Sequence, residues 1–226
     1  MPTLYVENVP LDLYEALRTR AHERRKSISA EVIALLEENV PTAKELASRG
    51  KLVDQARRIR ARRPGTRGPL PGCGGDAARG SPAVTACVID ASVAAKWFLP
   101  PSGEPLAAEA LRLLQSYAEG RLRLSAPDLF WPEFGNILWK AVRQGRISRE
   151  SAEEAIQALE HRGIPTAPSL PLLRDAFSIA AASGRTVYDA LYVALAMVSN
   201  APLVTADERL ANALAARYPV RWLGAV

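Results

Sequence analysis

Between residues 84 and 226, short apolar runs of strand length alternate with longer helical patterns, and few architectures accept that rhythm. The strand-length runs fall at 84–89, 122–126, 164–167, 202–205 and 220–223. Helical patterns fill the gaps at 91–98, 105–119, 128–144, 149–162, 170–183, 187–199 and 207–217. A connection long enough to hold a helix brings the next strand back parallel, and parallel strands must be covered on both faces. The prediction for 84–226 is therefore an α/β domain, a parallel sheet sandwiched by helices. In open sheets of this class, ligands gather at the carboxyl ends of the strands.

The chain ahead of this domain reads differently. Residues 64–83 contain thirteen Gly, Pro or Ala among twenty and show no period, which marks a linker. A flexible chain of that length spans about 25 Å root mean square. Residues 42–63 read as a helix of mixed character, with Leu46, Leu52, Val53 and Ile59 among many arginines; they are expected to form an arm, not a core element. Residues 1–41 read as strand, helix, helix. Leu4, Val6 and Val9 alternate with Thr3, Tyr5 and Glu7 up to Pro10, a helical stripe follows through Leu13, Leu17 and Ala21, and Ser27 or Ser29 offers an N-cap to a second helix. So small a piece cannot bury enough surface alone, so pairing of two copies through the strand is the physical expectation.

Charge divides along the same boundaries. Residues 84–226 carry 14 basic and 14 acidic side chains, residues 1–43 carry 5 and 7, and residues 44–83 carry 10 and 3. The middle segment thus holds all the positive excess, as an arm for an acidic partner would. No apolar run approaches the roughly 20 residues of a bilayer span, and the amino terminus lacks the features of a signal peptide, so a soluble, cytoplasmic protein is expected. Cys73 and Cys87 form neither a metal-ligand pair nor a disulfide framework, and His22 and His161 are isolated.

Four acids stand where an α/β sheet puts its site. Asp90 follows the first strand in VIDASV, Asp207 follows the fourth in LVTADERL, Asp189 opens the helix of TVYDALYVALA, and Glu133 lies in the first turns of WPEFGNILWKAV. Carboxylates brought close together repel and raise one another's pKa unless a divalent ion neutralises them. All-oxygen ligands suit Mg²⁺ or Mn²⁺, which can generate a hydroxide nucleophile and offset charge on a phosphodiester. Singly, Asp90, Asp189 and Asp207 are equally explained as helix caps. Glu133 lies among Phe130, Trp131, Phe134, Ile137 and Leu138, where a carboxylate needs a partner.

VIDASVAAKWFLP, PEFGNILWKAV, YDALYVALA and LVTADERL, in this order, resemble the motifs of the PIN-domain toxins of VapBC toxin-antitoxin modules. The resemblance covers nearly all of residues 84–226. It implies that Asp90, Glu133, Asp189 and Asp207 ligate Mg²⁺ or Mn²⁺, that Ser92, Asn136 and Thr205 support the acidic pocket, and that a metal-activated water cleaves RNA, with transfer or ribosomal RNA the usual substrate. The segment LYVENVPLDLYEALRTRAHERRKSISAEVIALLEE resembles the ribbon-helix-helix antitoxins that partner such toxins. That implies an operator-binding dimer in which Thr3, Tyr5 and Glu7 face the bases. Residues 1–43 are net acidic, so Arg24, Arg25 and Lys26 or the basic segment would have to supply the attraction to phosphate. In this family the antitoxin tail wraps the toxin and an arginine commonly enters the acidic pocket, for which Arg57, Arg58, Arg60 and Arg62 are the candidates.

The whole reads as an antitoxin continuous with its ribonuclease, self-inhibited by the basic segment and assembled as a homo-oligomer. Its rivals are a DNA-binding autoregulator whose nuclease domain is a silent scaffold, and a divalent-metal phosphatase or DNA nuclease on a similar sheet.

Overall fold

The computed structural model describes residues 3–62 and 85–226. The expected linker 64–83, with Cys73 in it, and residues 63 and 84 lie outside the described residues. The chain divides into two compact units, Met1–Ala43 and Lys44–Val226.

In the first unit, α1 (Leu11–Glu23) and α2 (Ile28–Asn39) form a helical hairpin. Arg25 takes a left-handed conformation at the turn, and Ser27 caps α2 by accepting from the Ala30 amide at 3.1 Å, which settles the choice between Ser27 and Ser29. Residues 3–10 form no ladder, a departure from the expected strand, and Asn8 within them takes a left-handed conformation. Leu4 and Val6 are about two-thirds exposed, at 67% and 65%. A lone strand has no hydrogen-bonding neighbour within its own unit, so the alternation cannot express itself as a sheet. Only Ala21 and Glu31 are buried among the described residues here.

The second unit opens with α3 (Ala43–Ala61), the segment expected to be a detached arm. Instead, Leu52, Val53, Ala56 and Ile59 join the buried core of the domain that follows. Their spacing places them along one stripe of the helix, which is why a strongly basic sequence still packs. Burying such side chains is worth roughly 1.5–3 kcal/mol each.

After α3 the strand and helix alternation appears as expected: β1 (Thr85–Ile89), α4 (Ala91–Ala95), α5 (Ala107–Ala118), β2 (Leu122–Pro127), α6 (Phe130–Arg143), α7 (Arg149–Arg162), β3 (Thr166–Ala167), α8 (Leu173–Ser183), α9 (Val187–Val198), β4 (Leu203–Thr205), α10 (Glu208–Leu214) and β5 (Val220–Trp222). The five strands form one parallel sheet in the order β3-β2-β1-β4-β5. From β1 the chain builds outward on one side through β2 and β3, then returns to β1's other edge with β4. The switch in direction falls between β1 and β4, the place where sheets of this class open a crevice. In register, Val88 pairs with Leu203 and Ile89 with Val204, so the carboxyl ends of β1 and β4 finish side by side.

The helices seal the sheet. In α9, every residue from Ala190 to Ala196 is buried. In α6, Phe130, Phe134, Leu138 and Ala141 form the buried stripe, with Phe134 meeting Phe98 edge-on at 5.9 Å. No helix among the described residues is long and apolar enough to cross a membrane.

Candidate active site

Asp90 is the first residue past β1 and the N-cap of α4, where its carboxylate accepts from the Val93 amide at 3.0 Å. The capping reading is therefore correct, but it describes only part of what surrounds this side chain. Ser92 donates to Asp90 Oδ1 at 2.6 Å and accepts from the Ala206 amide at 3.2 Å. The fully buried Thr205 hydroxyl also bonds the Asp90 carboxylate, and it accepts from the Asp207 amide at 3.0 Å. Two hydroxyls thus stitch the end of β1 to the end of β4. Burial pushes the Asp90 carboxyl up from its ordinary pKa, against the pull of these hydrogen bonds.

Glu133 lies in the first turn of α6, beside the buried stripe of that helix. Its partner is Tyr192 of α9, whose hydroxyl donates to Glu133 Oε2 at 2.5 Å. Burial raises the Glu133 pKa most, the Tyr192 hydrogen bond opposes it, and the negative charges of Asp90 and Asp189 raise it further. Asp189 stands in the first turn of α9. Gly184, in a left-handed conformation, ends α8, and Thr186 then caps α9 by accepting from the Asp189 amide at 3.1 Å while donating to Asp189 Oδ2 at 2.8 Å. Three acids from three separate elements therefore sense one another at the carboxyl end of the sheet.

Asp207 follows β4 and caps α10, accepting from the Arg209 amide at 2.9 Å and the Leu210 amide at 3.0 Å. It is exposed and reaches the others through Thr205. Asn136 lies one turn after Glu133 on α6 and is exposed. As they stand, no three or more His, Cys, Asp or Glu side chains among the described residues are gathered tightly enough to hold an ion. Each acid is committed to its own local hydrogen bonds, and like charges gain nothing by closing up. The donor set itself is all oxygen and carries more negative charge than its surroundings balance, which fits a hard cation.

The four arginines that are candidates for the acidic pocket meet other groups within this chain. Arg57 donates to Gln115 at 2.9 Å, the buried Arg60 donates to the Ala107 carbonyl at 3.3 Å, and Arg62 pairs with Glu154 at 2.6 Å. Arg58 lines a groove with Lys51, Asp54, Gln55, Arg62 and Glu154. With its apolar stripe packed into the core, α3 directs these side chains toward α5 and α7. In the first unit, Thr3, Tyr5 and Glu7 are exposed, and the half-exposed Arg24 pairs with Glu31 at 3.1 Å. Cys87 is buried in β1, and burial pushes its thiol up to about 12, which rules it out as a nucleophile at neutral pH.

Sequence reasoning missed Tyr192. The signal was its position three residues after Asp189, on the same face of one helix, but only the packing of α9 against α6 shows what the hydroxyl meets. It also missed a part-buried ion cluster in which Glu104 receives Lys96 and Arg146, each at 2.5 Å.

Comparison with known proteins places these observations in a family. The PIN domain family profile matches residues 87–214, more than half of the chain. The chain is 33% identical over 127 residues to Ribonuclease VapC3 of Pyrobaculum aerophilum, covering 55% of this chain and 92% of that protein. It is 40% identical over 89 residues to Ribonuclease VapC1 of Mycobacterium tuberculosis, covering 39% of this chain and 66% of that protein. The crystal structure of PAE2754 from Pyrobaculum aerophilum aligns at 24% identity with a TM-score of 0.46, over 63% of this chain and 87% of that one.

Proposed function

Because this chain belongs to the PIN-domain family, we propose that it is a divalent-metal-dependent ribonuclease of the toxin type, continuous with its own antitoxin. The observation that carries the reading is the nearness of Asp90 and Asp189 to Glu133 at the β1–β4 switch point, where burial raises the pKa of Asp90, and burial together with the charges of Asp90 and Asp189 raises that of Glu133. Relatives that share the family are named ribonucleases.

Asp90, Glu133, Asp189 and Asp207 would hold Mg²⁺ or Mn²⁺. When bound there, the cation supplies a water of lowered pKa and neutralises charge on the phosphodiester. The chain's own residues supply orientation: Ser92 and Thr205 fix Asp90, and Thr186 fixes Asp189. Asn136, one turn from Glu133 on α6, would support the acidic pocket. Transfer or ribosomal RNA is the substrate class that the motifs favour, which puts the work in the cytoplasm.

The first unit is the antitoxin part, reading operator DNA as a homo-oligomer through Thr3, Tyr5 and Glu7. The α3 helix is the segment by which it restrains the nuclease, with Arg57, Arg58, Arg60 and Arg62 anchoring the helix to α5 and α7. The test is cleavage of RNA, DNA and a phosphomonoester by the full chain and by residues 44–226, with Mg²⁺ and with EDTA. RNA cut only with Mg²⁺ is expected, at similar rates by both proteins because residues 44–226 keep α3. Cleavage of DNA or the phosphomonoester alone would replace this reading by another metal-dependent esterase.

A further inference from the structure

Tyr192 is one of the most buried polar-tipped residues of the second unit, at 3% exposure, in a helix whose other buried residues are Ala, Leu and Val. Packing alone would be served by phenylalanine, since a buried hydroxyl costs free energy unless it is hydrogen-bonded. Here the Tyr192 hydroxyl donates to Glu133 Oε2 at 2.5 Å. The bond ties together two helices that carry acids: α9 with Asp189 and α6 with Glu133.

A carboxylate oxygen carries two lone pairs, so this bond fixes where the Glu133 carboxylate lies and leaves lone pairs on both of its oxygens.

We infer that Tyr192 is a positioning residue of the acidic cluster: its hydroxyl holds the Glu133 carboxylate in one orientation, in which it would ligate a divalent cation. This rests on the metal-dependent reading above. It makes a claim that reading does not contain, because it assigns the geometry of one ligand to a hydroxyl two helices away in the chain. Partners that orient a metal ligand typically change metal affinity 10- to 100-fold when removed.

The experiment measures Mn²⁺ binding by the full chain, stripped with EDTA, from the loss of the free Mn²⁺ paramagnetic resonance signal. Wild type, Tyr192→Phe, Glu133→Ala, the double variant and Asp90→Asn are compared, with the thermal midpoint of each metal-free protein recorded. Tyr192→Phe should raise the Mn²⁺ Kd about tenfold. In the Glu133→Ala background the same change should add nothing, because the carboxylate it orients is gone. An unchanged Kd in Tyr192→Phe, or equal weakening in both backgrounds, overturns the inference while leaving the metal site standing. If wild type binds no Mn²⁺, or Asp90→Asn binds it as wild type does, the metal-dependent reading falls and this inference with it.

Discussion

The two units each bury a carboxylate, and the contrast between them separates structure from chemistry. Glu31 in the helical hairpin is fully buried and is met by two guanidinium groups, Arg20 at 2.7 Å and Arg24 at 3.1 Å. Asp90 is buried at the end of β1 and is met by hydroxyls and an amide, with no lysine or arginine paired to it among the described residues. A buried charge with cations of its own chain is neutralised on folding and holds α1 against α2. A buried charge that receives only neutral donors, beside Glu133 and Asp189, retains a deficit that an external cation can fill.

The sharpest way to break this contrast is to remove each charge in turn. Asp90→Asn should lower Mg²⁺-dependent RNA cleavage by about 100-fold or more, since even losing an outer partner of a metal ligand costs 10- to 100-fold. The amide can still accept from Val93, so the metal-free fold should be retained. Wild-type cleavage rates in this variant would show that Asp90 is a cap and nothing more.

The core role of α3 comes next. Leu52→Ala or Ile59→Ala should cost the second unit about 2–5 kcal/mol, measured by denaturant unfolding, because both side chains are fully buried. If α3 also restrains the nuclease, RNA cleavage by the full chain should rise in the same variants. A loss below about 0.5 kcal/mol would return α3 to the status of a detached arm.

Removing Glu31 should cost less. Glu31→Gln leaves Arg20 and Arg24 without their anion, but both are 40% or more exposed and can turn to water. A loss of about 1–3 kcal/mol in the first unit is expected, with RNA cleavage unchanged.

Proton linkage gives a subtler distinction. The folded-state pKa of Asp90 and of Glu133 is raised, so between the unfolded and folded values the native protein binds more protons than the unfolded chain. Their contribution to metal-free stability is present below the unfolded carboxylate range, about pH 4, and is lost as pH rises through the folded pKa values. The second unit should therefore weaken on going from pH 4 toward neutrality in EDTA. Asp90→Asn should flatten that slope, and an unchanged slope would place the raised pKa elsewhere.

The smallest effect belongs to Arg62. Its pair with Glu154 is exposed on both sides, so Arg62→Ala should shift stability by at most about 1 kcal/mol and leave cleavage as it was. A several-fold rise in cleavage by the full chain would instead mean that Arg62 guards the acids.

The sequence by itself determined the repeating strand and helix pattern from residue 84 onward, and with it the parallel sheet and the position of Asp90 and Asp207 just past two strand ends. These are consequences of local periodicity and of capping chemistry, which act over a few residues and are written wherever the pattern is written. It also placed Glu133 in an apolar setting that demanded a partner. What it could not supply was that partner, Tyr192, or the order of the strands, because both depend on which surfaces meet after the chain has doubled back. The basic helix shows the same limit from the other side. Its arginines dominate the composition of residues 44–61, yet the stripe of Leu52, Val53, Ala56 and Ile59 decides where the helix lies. Charge is satisfied by water almost anywhere on a surface, whereas an apolar stripe is satisfied only against another apolar face, and that face exists only in the folded domain.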